Sequence, residues 1–174
     1  MKKLFLGLGS NLGGREDNLQ RAADHISEAG VHLLRASSTY ETKPMYFTGQ
    51  PLFLNLVLEG ETDTFPRALL KRLKAIEHRM GRRRTVPNGP RLIDIDILFF
   101  GRFTVEAPEL VIPHPKLPER RFVLDPLAEL APDWRHPVNK RSVREMLAQV
   151  KEGGVRKVEF RVRLKPPLPS TVRI

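Results

Sequence analysis

No cysteine occurs among the 174 residues. That excludes disulfides, thiolate metal sites and a cysteine nucleophile, and it fits a reducing compartment. No apolar run approaches the ~20 residues that a membrane-spanning helix needs. The opening Met1-Lys2-Lys3-Leu4-Phe5-Leu6-Gly7-Leu8 has the outline of a signal peptide. Its apolar stretch is too short, however, and polar Ser10-Asn11 follows at once. The expectation is a cytoplasmic protein. A dinucleotide fingerprint is lacking as well. After Gly7-Leu8-Gly9 the third glycine would stand where Leu12 is found. There is neither an internal repeat nor a linker-like stretch.

What is present suits one core. The chain is 40% hydrophobic and 29% charged, an ordinary globular balance. Residues 1–165 are expected to form a single domain and 166–174 a frayed basic tail. Net charge is +10, of which +7 lies in residues 140–174 and +3 in the rest. The high isoelectric point is thus mostly a property of the C-terminal end. It is a weak reason to expect a nucleic-acid partner.

Apolar periodicity sketches the elements. Leu4–Leu8 reads as a buried strand, followed by a turn over 9–14. A helix over 15–28 carries Leu19, Ala22, Ala23 and Ile26 on one face. Residues 31–40 read as a strand, 42–51 as a long loop, and 53–59 as a strand. The apolar run of that last strand holds Asn55, which must hydrogen-bond a ligand or a backbone group if buried. A helix over 66–80 ends at Gly81, and 93–98 is a strand. Phe103–Val105 reads as a short hairpin arm. Arg120 and Arg121 open another helix, 143–150 forms one more, and 158–164 alternates as an edge strand. The order β-α-β-β-α-β over 4–98 predicts an α+β, ferredoxin-like, mainly antiparallel sheet with helices on one face. A C-terminal helix and strand extend it. Such a fold does not fix function.

The chemistry concentrates in Gly89-Pro90-Arg91-Leu92-Ile93-Asp94-Ile95-Asp96-Ile97-Leu98. Three isoleucines point to one side of a strand, while Asp94 and Asp96 point to the other. Their carboxylates, roughly 6–7 Å apart along the strand, repel unless a cation lies between them. Two Mg²⁺ ions suit that spacing, since Mg²⁺ takes oxygen ligands and keeps some waters. The alternative is a pair of solvated aspartates. An arginine-loaded stretch, Gly81-Arg82-Arg83-Arg84, comes just before. Guanidiniums beside a dicarboxylate point to a metal–polyphosphate site.

These pieces, in this order, resemble one family. They are Gly9-Ser10-Asn11-Leu12, Tyr40-Glu41-Thr42-Lys43-Pro44 and Phe53-Leu54-Asn55. Glu77 follows, four residues before Gly81-Arg82, and then comes the Gly-Pro-Arg-x-x-Asp-x-Asp segment. Pro113-His114-Pro115 and Arg120-Arg121-Phe122 complete the set. Over residues 4 to about 138 the chain closely resembles the 6-hydroxymethyl-7,8-dihydropterin pyrophosphokinases of folate biosynthesis. The resemblance implies transfer of diphosphate from ATP to a pterin hydroxymethyl group, leaving AMP. It assigns two Mg²⁺ to Asp94 and Asp96. Phosphate contacts fall to Arg82, Arg84, Arg91, His114 and Arg120, with Glu77 at the nucleotide site. Arg82, Arg84, Arg91 and Asp96 are the implied catalytic groups. Thr42, Pro44, Phe53, Asn55 and Phe122 would form the pterin pocket. The implied partners are the two small substrates, with neither membrane nor nucleic acid, and a monomer or weak homodimer is expected. The chain departs from the family pattern at Asn88, Lys74, Glu109 and Phe53.

Two other readings remain open from the residues alone. A ferredoxin-like nucleic-acid-binding module would explain the basic end. It would carry aromatic and basic residues on the central strands, whereas two acids stand at Asp94 and Asp96. A Mg²⁺-dependent kinase with another acceptor fits the acids and arginines equally well.

Overall fold

The computed structural model describes residues 1–42, 49, 51–81, 90–151 and 153–166. Strand β1 (Lys2–Ser10) leads into helix α1 (Arg15–Glu28). Strands β2 (His32–Ala36), β3 (Thr39–Thr42) and β4 (Phe53–Thr62) follow, then helix α2 (Pro66–Arg79) and strand β5 (Asp94–Phe100). A separate ribbon pairs β6 (Val105–Ala107) with β7 (Leu110–Ile112). Helices α3 (Arg121–Leu130) and α4 (Val143–Gln149) and strand β8 (Val155–Val158) complete the order.

The main sheet runs β5-β1-β4-β3-β8, with β2 also pairing β4. Each of these pairings is antiparallel. The strand expected over 31–40 is divided at Ser37-Ser38. Here the Ser37 hydroxyl accepts the Val57 amide at 2.9 Å, while the Ser37 amide donates to the Val57 carbonyl. A side chain thus takes the place of a backbone acceptor, and the ladder restarts one step on.

Alternation along the strands builds two cores. Leu4, Leu6 and Leu8 of β1 lie with Leu54, Leu56, Leu58, Ile95 and Ile97 under α1 and α2. Phe5, Val57, Leu98 and Phe99 face the other way, under α3 and α4. The sequence-based expectation of helices on one face therefore holds for α1 and α2 only. The apolar stripe Val123, Leu124, Leu127 and Leu130 of α3 covers the second face.

The last strand also differs from expectation. It occupies Val155–Val158 at the sheet edge, not 158–164. Beyond it the chain crosses α1. There Gln20 Nε2 donates to the Arg163 carbonyl at 2.9 Å, and the Arg163 amide donates to Gln20 Oε1 at 2.9 Å. Val162 is buried in the α1/α2 core. The alternation in this segment is real, but its partner is a helix flank rather than a strand.

Candidate functional site

Two glycines open the centre of the sheet. Gly9 of β1 pairs with Asn55 of β4 on one side and Asp94 of β5 on the other. Gly7 likewise stands between Val57 and Asp96. Residues directly opposite in a sheet share a face. Each row therefore carries side chains at its flanks and none in the middle. With strands ~4.8 Å apart, Asp94 and Asn55 are roughly 10 Å from each other across that gap. A Cβ on Gly9 would lie 2.7 Å from Asn55 Oδ1. The turn expected at Gly9 is in fact the end of β1, and Gly7 and Gly9 form the floor of a cavity.

The cavity measures about 510 Å³, within the range of small-molecule sites. Its polar wall brings together Asp94, Asp96, Arg91, His114 and Arg120. Thr42, Phe53, Asn55 and Phe122 also line it, as do Leu70, Lys74, Glu77, Glu109 and Leu110. Every sequence-predicted site residue among those described lies in this one cavity. Pro44, Arg82 and Arg84 fall outside the described residues, as do most of the 42–51 and 82–90 loops. Gly7, Gly9, Leu70 and Leu110 were not expected from sequence to be site residues. The only signal available for the glycines was their i, i+2 spacing on a strand.

Local chemistry distinguishes the ends. Asn55 Nδ2 donates to the Thr42 side chain, at 2.8 Å from Oγ1. This bond fixes the carboxamide orientation. Glu77 is buried on the last turn of α2, and its Oε2 accepts the Ile95 amide at 3.0 Å. That bond ties α2 to the strand between the two aspartates. Arg91 Nη1 stands 3.6 Å from Asp94 Oδ1.

His114 lies mostly buried, and its Nδ1 accepts the Lys116 amide at 3.3 Å. This places the imidazole proton on Nε2. Burial, then Arg120, pushes its pKa down to about 4; Asp94 opposes them, and Lys116 adds to the lowering. The ring is a neutral donor at physiological pH. Arg120 Nε is buried without a hydrogen-bond partner, and the guanidinium stands 5.4 Å above the Phe122 ring. Arg120 is also one of the cationic residues that line the cavity, and a guanidinium there suits an anionic ligand.

Among the described residues no group of three or more His, Asp and Glu gathers as a metal cluster. Asp94 and Asp96 are a pair of hard oxygen donors beside cationic side chains. Such a pair suits Mg²⁺, which fills its remaining positions with water and substrate phosphates.

The match to known proteins agrees with this geometry. Residues 5–132 fit the 7,8-dihydro-6-hydroxymethylpterin-pyrophosphokinase (HPPK) family model. The chain belongs to that family. It is 39% identical to the 2-amino-4-hydroxy-6-hydroxymethyldihydropteridine pyrophosphokinase of Methylorubrum extorquens, over 91% of this chain and 100% of that protein. To the Bacillus subtilis protein of the same name it is 43% identical, over 72% of this chain and 76% of that one. The folic acid synthesis protein fol1 of Pneumocystis carinii is 39% identical over 89% of this chain, but only 21% of its own length is matched. The chain thus spans about a fifth of that longer relative. A solved structure titled as HPPK-DHPS in complex with substrates superposes with TM-score 0.68 at 18% identity, over 84% of this chain and 43% of that one. That likeness speaks for the fold alone. Among the described residues no helix is long and apolar enough to cross a membrane.

Proposed function

We propose that this chain transfers the terminal diphosphate of ATP to the hydroxymethyl oxygen of 6-hydroxymethyl-7,8-dihydropterin, leaving AMP. The observation that carries the reading is the pair of rows Asp94–Gly9–Asn55 and Asp96–Gly7–Val57, which set a dicarboxylate and a carboxamide in one cavity with an open floor between them. The full-length bacterial relatives bear the name of this activity.

The pterin lies at the Asn55 end. Asn55 offers a donor and an acceptor to the amide-like edge of the ring, and Phe53 and Phe122 contact its faces. The phosphates lie along Arg91, His114 and Arg120, with Arg82 and Arg84 completing an arginine clamp. Asp94 and Asp96 would hold two Mg²⁺, whose bound charge neutralises the polyphosphate and lowers the barrier to attack. The hydroxymethyl oxygen attacks the β-phosphorus. The bond from that phosphorus to the oxygen bridging it to the α-phosphate breaks, and the hydroxyl proton passes to solvent or to a carboxylate. Little covalent chemistry is asked of the chain beyond positioning and charge neutralisation. Residues 1–165 form the catalytic unit, a monomer or weak homodimer in the cytoplasm. The β5-β1-β4-β3 order supports the ferredoxin-like reading of its sheet.

Calorimetry with a non-hydrolysable ATP analogue and Mg²⁺, with and without the pterin, tests this. The expected result is pterin binding that is strengthened by nucleotide and metal, with AMP released when ATP is supplied. Nucleotide binding without pterin binding would replace the acceptor. Binding of neither would overturn the assignment.

A further inference from the structure

The C-terminal segment lies beyond the residues that match the family model, yet it is wired to the cavity. In β8, Val155 pairs with Thr42 and Arg156 pairs with Glu41. Arg156 Nη2 donates to Glu41 Oε1 at 2.8 Å. From α1, Arg15 Nη1 donates to Glu41 Oε2 at 2.9 Å and to the Leu52 carbonyl at 2.9 Å. Glu41 pairs with Leu54, on the α1 side of the sheet, while its neighbour Thr42 lines the cavity. The Glu41 side chain is 15% exposed although Arg156 is 75% exposed. The carboxylate is therefore held from two sides while the outer cation remains accessible. The hydrogen bonds from Arg156 and Arg15 hold its carboxyl below the ordinary carboxylate range.

We propose that β8 positions the acceptor end of the cavity, with Arg156 clamping Glu41 so that Thr42 holds Asn55 in its ligand-reading orientation. The chain of contacts is continuous. Arg156 and Arg15 fix Glu41, the β3 backbone carries this to Thr42, and Thr42 Oγ1 accepts the Asn55 carboxamide. Val162 and the Gln20–Arg163 pair anchor the far end of the segment on α1. None of these residues touches the phosphate end. The consequence falls on the pterin and spares the nucleotide. Arg156 and Glu41 are positioning residues, since neither lines the cavity. The inference rests on the pyrophosphokinase reading for the identity of the acceptor.

The test compares the full chain with Arg156→Glu, Arg156→Ala and Arg156→Lys. Arg156→Glu sets two carboxylates together and raises the pterin KM on the order of 10-fold. Arg156→Ala raises it about three- to fivefold. Arg156→Lys keeps a cation and restores most of the loss. The ATP KM and kcat stay within about twofold in each, because the phosphate end is untouched. Equal movement of both KM values, or movement of neither, would overturn the proposal. Hydrogen exchange in the peptide carrying Thr39–Thr42 provides a readout independent of turnover. Arg156→Glu is expected to lower its protection, and unchanged protection would overturn the proposal. If the unaltered chain turned over no pterin, the functional reading would fall, and the exchange result alone would decide the role of β8.

Discussion

Asn11 and Arg91 clasp each other by two hydrogen bonds: the Asn11 amide donates to the Arg91 carbonyl at 3.0 Å, and the Arg91 amide donates to Asn11 Oδ1 at 2.7 Å. Asn11 is fully buried, and its Nδ2 donates to the Pro51 carbonyl at 3.1 Å. One side chain thus holds the backbone of a cavity arginine and the segment leading into β4. Asn11→Ala leaves the Arg91 amide and the Pro51 carbonyl without these partners, at about 1–3 kcal/mol for a buried polar group. The expected result is a lower melting temperature and a drop in kcat/KM for ATP on the order of 10-fold. Asn11→Asp keeps the acceptor and loses the donor, so it should fall between. If both variants matched the unaltered chain, Arg91 would owe its placement to something else.

Gly9 makes a sharper separation between the two proposed substrates. Its absent side chain is what lets Asn55 Oδ1 approach to 2.7 Å of the Cβ position. In Gly9→Ala the carboxamide must swing away from Thr42 Oγ1, losing the 2.8 Å bond that orients it. Pterin affinity should fall on the order of 10-fold, about 1.4 kcal/mol, with nucleotide affinity within about twofold. Titration calorimetry with each ligand reads both. A parallel loss for pterin and nucleotide would mean that the strand itself had shifted.

The pH dependence follows from His114. Its pKa in the folded chain is pushed down to about 4, first by burial and then by Arg120, from an unfolded value near 6.5. Above about pH 6.5 the ring is neutral in both states, and its contribution to stability is fully present. As pH falls towards 4 the unfolded chain takes up the proton first, so stability is lost through that window. His136, also lowered by burial and then by Arg141, adds to the same slope. Denaturant unfolding between pH 4 and 8 should therefore show a shallower acid loss for His114→Gln than for the unaltered chain. Identical slopes would show that His114 is protonated equally easily in both states.

The sequence carried the carboxylate pair plainly, because Asp94 and Asp96 sit on a strict two-residue period against Ile93, Ile95 and Ile97. Helix α1 was equally readable from Leu19, Ala22, Ala23 and Ile26, and its bounds are those expected. Gly9 was not. A glycine acts here through the side chain it lacks, and the reason lies in Asn55, on a strand remote in sequence. The Ser37 break in the second strand was hidden for a similar reason, since it depends on the amide of Val57. The end of the chain misled differently. Val158, Phe160, Val162 and Leu164 do share one apolar face, but periodicity reports a buried face without saying whether a strand or a helix covers it. Placing β8 three residues earlier brings Arg156 against Glu41, a pairing no local pattern announces.

Asp96 offers the most direct test of the metal reading. Asp94 is 3.6 Å from Arg91, so altering it would disturb a cavity arginine as well. Asp96→Asn keeps the volume and removes one negative charge from the wall of the cavity. If the pair holds Mg²⁺ against the polyphosphate, the variant loses several kcal/mol of transition-state stabilisation, about 10³-fold or more in turnover. Mn²⁺ binding in the presence of a non-hydrolysable ATP analogue, followed by electron paramagnetic resonance, should weaken in step. Asn55, the proposed pterin contact, lies across the gap left by Gly9, so pterin affinity measured without metal should stay within about twofold. Turnover within threefold of the unaltered chain, or undiminished Mn²⁺ binding, would show that Asp96 is a solvated carboxylate on the cavity wall and would move the metal site elsewhere.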